Sequence, residues 1–260
     1  MNNKKNNPIV NLILQHRSIR KYKDKVVSKD MIEIIVNAGQ QAAFAYQAYS
    51  VILSRKKERH PFHAPLYFII CVDVHKISKI METRNWKVVM NDLSCLIWGL
   101  QDAAYMAQNM VIAAESLGLG TCYIGAVPYY AEKIAEQFKL PQKVFPLVGL
   151  TVGYPAEDPP TRPRYPLDFT LFQEEYPELD EGAIERAKKK MDDGYLSQDY
   201  YSSMNAKIDL IGDREEKFDY DTYSWTEHIS RKLGQWQPSP EELLEQFRKR
   251  GFNIQGTDDE

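Results

Sequence analysis

Cysteine is scarce in this 260-residue chain. Cys71, Cys95 and Cys122 make an odd count without CxxC spacing, which argues against a disulfide framework or a structural zinc site. Each sits in an apolar run, the setting of a buried thiol in a reducing cytoplasm. A charge excess of one sign is also missing: the net charge is −3 and the pI about 6.0, so a nucleic-acid partner is not expected. A local basic cluster could still bind a phosphorylated small molecule. No run reaches about 18 consecutive apolar residues, and no membrane span is expected. Residues 1–7 are polar with no apolar h-region, so no signal peptide is expected and the location read from the sequence is cytoplasmic. There is no GxSxG elbow, no P-loop and no GxGxxG opening a helix. His60 and His63 flank Pro61 without a nearby third ligand, so no metal site is expected.

What is present is the balance of a globular protein, 43% hydrophobic and 27% charged. At this length roughly 70–75% of the unfolded surface can be buried. Pro8 and the apolar residues after it predict a short helix over 8–16. Ser28 is an N-cap for a helix over 29–42. Residues 48–53 read as a strand, 55–61 as a basic turn, and 66–73 as a strand buried on both faces. The longest helix is predicted over 91–117, with small residues at Ala103, Ala104, Ala107, Ala113 and Ala114 that let another helix approach. Gly118 and Gly120 end it. A strand-like run over 121–125, a helix over 130–138 and a strand over 144–152 follow. Prolines at 155, 159, 160, 163 and 166 make 154–166 extended. Beyond lie a charged helix over 182–193 and a terminal helix over 239–251. The division expected is a core over 1–170 and an extension over 171–260, with no core of its own, wrapping the core or a second subunit. Alternating helices and buried strands give an α/β or α+β fold.

Three clusters could carry chemistry. His16-Arg17-Ser18-Ile19-Arg20 packs two guanidiniums, an imidazole and a hydroxyl into five residues, which suits an anion or a solvated basic turn. Arg162-Pro163-Arg164 holds two cations on a stiff segment, again suiting a phosphate or a plain basic rim. The run from Gly118 to Gly125 allows close backbone approach to a flat ligand, although helix-stop signals explain its first glycines equally well. Carboxylates such as Asp158, Asp219 and Asp221 lie in polar segments and read as solvated.

In this order the clusters resemble the nitroreductase family of FMN-dependent oxidoreductases, in the branch with a long C-terminal extension. The matching stretches are His16-Arg17-Ser18-Ile19-Arg20-Lys21-Tyr22 and Gln47-Ala48-Tyr49-Ser50-Val51. Gln108-Asn109 and the run from Ala113 to Gly125 come next. Gly149-Leu150-Thr151-Val152-Gly153-Tyr154-Pro155, Arg162-Pro163-Arg164-Tyr165-Pro166 and Thr222-Tyr223-Ser224-Trp225-Thr226-Glu227-His228 complete the set.

The resemblance implies an α+β fold, a mostly antiparallel sheet flanked by helices, in an intertwined homodimer with FMN between the subunits. It implies NADPH or NADH as donor and nitroaromatic, quinone or flavin acceptors, served in a ping-pong scheme. His16, Arg17 and Ser18 would hold the FMN phosphate and ribityl chain, with Arg162 and Arg164 completing the phosphate site. Arg20 would sit near N1 and the C2 carbonyl, where reduction leaves negative charge. Gln47 would meet the pyrimidine edge, and Tyr123, Ile124, Gly125 and Ala126 the ring near N5 and O4. No catalytic side chain is implied, because the flavin carries the hydride chemistry. An FMN-binding protein with little reductase activity, or with a specialised flavin reaction, is the alternative. It is motivated by two departures, Ala43-Phe44-Ala45-Tyr46 in place of serines before Gln47 and a short 54–63 segment; a third departure, Ala126 in place of a glycine, narrows close approach. The family's longer segment carries a polar residue that reaches the flavin. Here His60 or His63 would stand in for it, or else the pocket is more open. Lys207, Arg214 and Lys217 do not clearly match the family's basic residues for the NADPH phosphate, which leaves the donor open between NADH and NADPH.

Overall fold

The structure is a computed structural model that describes residues 7–235 and 239–254. It divides into two compact units, Met1–Pro159 with Ser239–Glu260, and Pro160–Pro238. The boundary thus lies at 159–160 rather than at 170, and the last helix counts with the first unit.

The first unit is built on a four-stranded antiparallel sheet, β1 (Tyr49–Ser54), β2 (Leu66–Asp73), β3 (Gly120–Ile124) and β4 (Val144–Gly153), in the order β1-β2-β4-β3. The fold is α+β, as expected. On β2 the side chains alternate between two covered faces. Phe68 and Ile70 pack with Leu150 and Val152 of β4 against Ile35 of α2 (Lys29–Gln40) and Met106 and Met110 of α4 (Asp92–Ser116). Ile69 and Cys71 face Val127 and the helix α5 (Ala131–Phe138). Burial pushes the Cys71 thiol up to about 12, so it stays protonated and unreactive.

Local chemistry sets the helix ends. Asn7 accepts from the N–H groups of Ile9 and Val10 at the start of α1 (Pro8–Leu14), Ser28 caps α2, and Asn91 caps α4. Gly118, at φ +76°, supplies the left-handed residue after α4. One helix not anticipated from the sequence is α3 (His75–Glu82), which buries none of its residues. The basic turn expected at 55–61 is two 3-10 turns, Lys57–Arg59 and Pro61–His63. After the second unit the chain returns as α9 (Pro240–Lys249). Phe247 stacks on Phe145 of β4 at 4.1 Å, and the buried Arg250 donates to the Val144 and Leu140 carbonyls.

The second unit holds α6 (Glu181–Leu196), α7 (Tyr200–Ser203) and α8 (Trp225–Gln235). It does have a small core, contrary to expectation, made of Ala187, Met191, Tyr201, Tyr223 and the buried Arg231. Its apolar surface is mostly ring surface, which a search for aliphatic periodicity passes over. Arg231 donates to Glu216, Glu227 and the Ile208 carbonyl.

Candidate functional site

The site is organised by the free edge of β3. The segment after α1 lies against that edge: Ser18 bridges Thr121 in parallel, and the Ile19 N–H donates to the Thr121 carbonyl at 2.8 Å. Gly120 makes the approach possible. A Cβ there would stand 2.6 Å from Ile19 Cγ1. Tyr22 pins the segment from below, donating to the Ile19 carbonyl at 2.6 Å and meeting Thr151 Oγ1 at 2.8 Å. Burial raises the Tyr22 hydroxyl well above its ordinary value, so it remains a donor. Cys122, also raised by burial, feels the Arg20 charge and a hydrogen bond from Ser18. His16, Arg17, Ser18 and Arg20 are therefore fixed along one strand edge, at the end of which stand Tyr123 to Ala126.

Carboxylates answer the basic residues. His16 Nδ1 meets Glu115 Oε1 at 2.7 Å, and Thr121 Oγ1 donates to the same oxygen at 2.9 Å. Arg17 pairs with Asp158, a carboxylate read from sequence as merely solvated. Glu157 accepts from the backbone N–H of Arg20 and of Lys21. Glu115, Glu157, Asp158 and Arg17 share a cavity of about 200 Å³. The Arg20 side chain itself points past this group, its guanidinium carbon 6.0 Å from the centre of the Phe62 ring.

Beyond the strand end, Tyr123 and Gly125 border an apolar groove of about 490 Å³ with Ala104, Gln108, Pro128 and Val148. Among the described residues nothing lies within 4 Å of where a Gly125 side chain would begin. Ile124 closes β3, and Ala126 starts the 3-10 turn Val127–Tyr130. Gln47 stands in the left-handed region at φ 58°. The loop around it is held by Asp102 of α4, whose buried carboxylate accepts from the N–H groups of Ala45 (2.6 Å), Tyr46 (3.2 Å) and Ala48 (3.0 Å).

His60 is not free to face a ligand. It is buried, with Nδ1 on the Ala64 carbonyl at 2.8 Å and Nε2 on Ser54 Oγ at 2.7 Å, so both ring nitrogens are used inside the turn. His63 is exposed. Arg162 and Arg164 belong to the second unit. There Arg162 donates to Gln198 at 2.6 Å and lies 4.1 Å over the Tyr200 ring, while Arg164 donates to the carbonyls of Arg162 and Pro163. Among the described residues no group of three or more His, Cys, Asp or Glu could hold a metal ion, and no helix is long and apolar enough to cross a membrane.

The description of the nitroreductase family matches residues 47–154. An FMN reductase [NAD(P)H] of Bacillus subtilis (strain 168) is 34% identical over 67% of this chain and 77% of its own length. The chain belongs to the nitroreductase family. A Cr(VI) reductase of Pseudomonas sp. (strain G-1) is 36% identical over 64% of this chain and 74% of its own length. The structure of B. megaterium NfrA1 superposes with a TM-score of 0.80, at 31% identity, over 95% of this chain and all of that one.

For a nitroreductase-family chain, the residues that sequence reading missed are the acids: Glu115, Glu157 and, above all, Asp102. Asp102 did leave a signal. It shares the buried stripe of α4 with Gly99, Ala103 and Met106, and a charge on such a stripe needs hydrogen-bond partners. Glu157 and Asp158 had no local signal, because their partners lie about 140 residues earlier in the chain.

Proposed function

We propose that this member of the nitroreductase family holds FMN along the 16–20 segment and the 123–126 turn. It uses NADH or NADPH to reduce nitroaromatic, quinone or flavin acceptors. The observation that carries the reading is the Ser18–Thr121 bridge, which fixes the cationic segment in line with the groove at Tyr123 and Gly125.

The residues present suit the group. Arg17 offers up to five N–H donors in a planar fork matched to phosphate oxygens. Its partner Asp158 is 81% exposed, so an anion can compete for the guanidinium at small cost. His16 is kept oriented by Glu115, and Ser18 adds a hydroxyl. At the other end, the open space over Gly125 admits a flat ring against backbone N–H groups. FMN, when bound, supplies the hydride-accepting N5 that no side chain of this chain provides. Arg20 offers a fixed cation, and Gln47 an amide, to the ring's pyrimidine edge. Glu157 fixes the backbone of Arg20, and Asp102 fixes the backbone on both sides of Gln47 through Ala45, Tyr46 and Ala48, so both segments are held in place before anything binds. Donor and acceptor would use the groove in turn, a scheme in which the flavin and not a side-chain nucleophile carries the chemistry.

A second copy of the chain is part of the reading. The helix α4 exposes Leu93, Ile97, Trp98 and Tyr105, large apolar side chains of the kind that mark an association surface when they cluster. Light scattering should give a dimer; a flavin-loaded monomer would overturn this part.

The deciding measurement is the visible spectrum of freshly purified protein, with release and identification of the chromophore. Equimolar FMN is expected. A colourless protein that takes up no added FMN would sink the reading. Oxidation of NADPH that a nitroaromatic or quinone does not stimulate above the oxygen background would favour the binding protein with little reductase activity.

A further inference from the structure

The chain is net negative, yet one exposed strip is strongly positive. Lys21, Lys23 and Lys25 lie on one segment, and Arg55, Lys56, Lys57 and Arg59 on another, against Asp24 and Glu58; all nine are exposed. Two contacts bring the segments together. Lys57 Nζ donates to Asp24 at 2.6 Å, and Phe62 meets the Arg20 guanidinium. The segments therefore run side by side, starting at Arg20.

Neither segment is a loose, solvated turn. Tyr22 bridges Pro155, the Lys23 N–H donates to the Tyr154 carbonyl at 2.8 Å, and the Ala156 N–H donates to the Lys21 carbonyl at 2.9 Å. On the other side His60 clamps its turn through both ring nitrogens. Phe62 and His63 are both held in the left-handed region, at φ 58° and 49°. Such conformations cost of order 1 kcal/mol or more each and persist only where the surroundings enforce them. Between the segments is a cavity of about 220 Å³ bordered by Lys25, Arg55 and Lys57, with Asp24 already neutralised by Lys57.

We propose that this strip recruits negatively charged acceptors, aromatic compounds bearing a sulfonate, carboxylate or phosphate, to the site at Arg20 in preference to neutral ones. The proposal rests on the reading of Arg20 as the flavin-side cation. Residues 20–25 turn at Asp24, where the Lys25 N–H donates to the Lys23 carbonyl at 2.8 Å, so they reach no more than roughly 15 Å, up to about two Debye lengths at physiological salt. The near end of the strip therefore acts on an acceptor already at the site, and the far end acts on one still approaching. Charge arranged in this way raises the encounter rate of an opposite charge and leaves a neutral molecule unaffected. The anionic substituent takes no part in the chemistry. In reduction of a nitro group, a hydride from NAD(P)H and a proton from solvent yield the nitroso compound, oxidised nicotinamide and water.

The test compares para-nitrobenzenesulfonate with para-nitrobenzenesulfonamide, which have nearly the same shape and differ in charge. Holoenzyme is assayed at saturating donor. The kcat/KM ratio of sulfonate to sulfonamide should fall roughly tenfold as ionic strength rises from about 0.02 to about 0.3 M. It should fall by a similar factor at low salt in the triple variant R55Q/K56Q/R59Q. A ratio that stays within twofold in both experiments overturns the proposal. Titration calorimetry of para-nitrobenzenesulfonate into wild type and variant, without donor, is independent of turnover. Weaker binding by the variant supports the strip, and equal affinity refutes it. If neither compound is reduced, the oxidoreductase reading fails, and the calorimetry still decides the role of the strip.

Discussion

The two units are held together by different physics. In the first, Phe68, Ile70, Met110 and Leu150 are completely buried between a sheet and two helices. In the second, the buried set centres on rings and a guanidinium: Tyr201 stacks on His228 at 4.6 Å, and Arg231 lies 4.9 Å from the Tyr223 ring while bonding Glu216 and Glu227. Apolar burial is non-directional and roughly proportional to the area removed from water, and it involves no titrating group. A hub of rings and charges depends on geometry and protonation. The first unit can thus serve as a rigid frame for the 16–20 edge, while the second should respond to conditions.

The strongest way to break this contrast is through the sheet. Phe68→Ala should cost about 3–5 kcal/mol, read by urea unfolding of the whole chain. A loss below about 1 kcal/mol would mean that the apolar frame is not what holds the first unit. Next comes Arg231→Ala, which removes the link between Ile208, Glu216 and Glu227. The expected cost is roughly 2–3 kcal/mol, reduced from that of a fully buried pair because Glu216 stays partly in water. The damage should remain local, appearing as proteolytic cleavage within 206–222 while the sheet keeps its unfolding midpoint. Loss of both together would show that the units do not fail separately.

The contrast also explains how much could be read in advance. Every strand and the long helix α4 were legible within two residues of their ends, because each is an apolar run with a glycine, proline or cap beside it. The helix α8 was not: its apolar residues are few, Trp225, Ile229 and Leu233, set among Thr226, Glu227, Arg231 and Lys232. The basic half of the candidate site was legible as a motif, His16 to Arg20. Its acidic half was not, since a motif read along the chain cannot show that Glu115, Glu157 and Asp158 return to it. Nor could the sequence show that His60 would be consumed by its own turn, which depends on Ser54 and Ala64 closing around the ring.

Asp102 sharpens the comparison, because it is a charge buried in the apolar unit. Asp102→Asn keeps the shape but turns an amide N–H₂ toward backbone donors, so at least one of the three N–H groups loses its acceptor. A cost of about 1–3 kcal/mol is expected, together with weaker retention of FMN on dialysis as the Gln47 loop relaxes. Unchanged stability and retention would mean that the left-handed Gln47 is enforced by packing alone.

The smallest effect expected is that of mild acid on the second unit. Burial, and secondarily the Lys232 charge, lower the His228 pKa from its ordinary 6.5. The unfolded chain therefore binds this proton more readily than the folded one. His228 adds no penalty above pH 6.5, and stability declines as the pH falls from there toward the lowered folded value, with a slope of at most about 1.4 kcal/mol per pH unit. Glu216 acts further down the scale. The hydrogen bond from Arg231 holds its carboxyl far below the ordinary 4.5, so its contribution is intact above pH 4.5 and is lost below it. Trp225, beside Tyr165 and Tyr195, should report the change by fluorescence. His228→Phe keeps the stack on Tyr201 without the titrating group, so it should flatten the profile just below pH 6.5 and leave the step below 4.5 in place. An unaltered profile in that variant would assign the upper step to another group and remove the pH dependence from this side of the comparison.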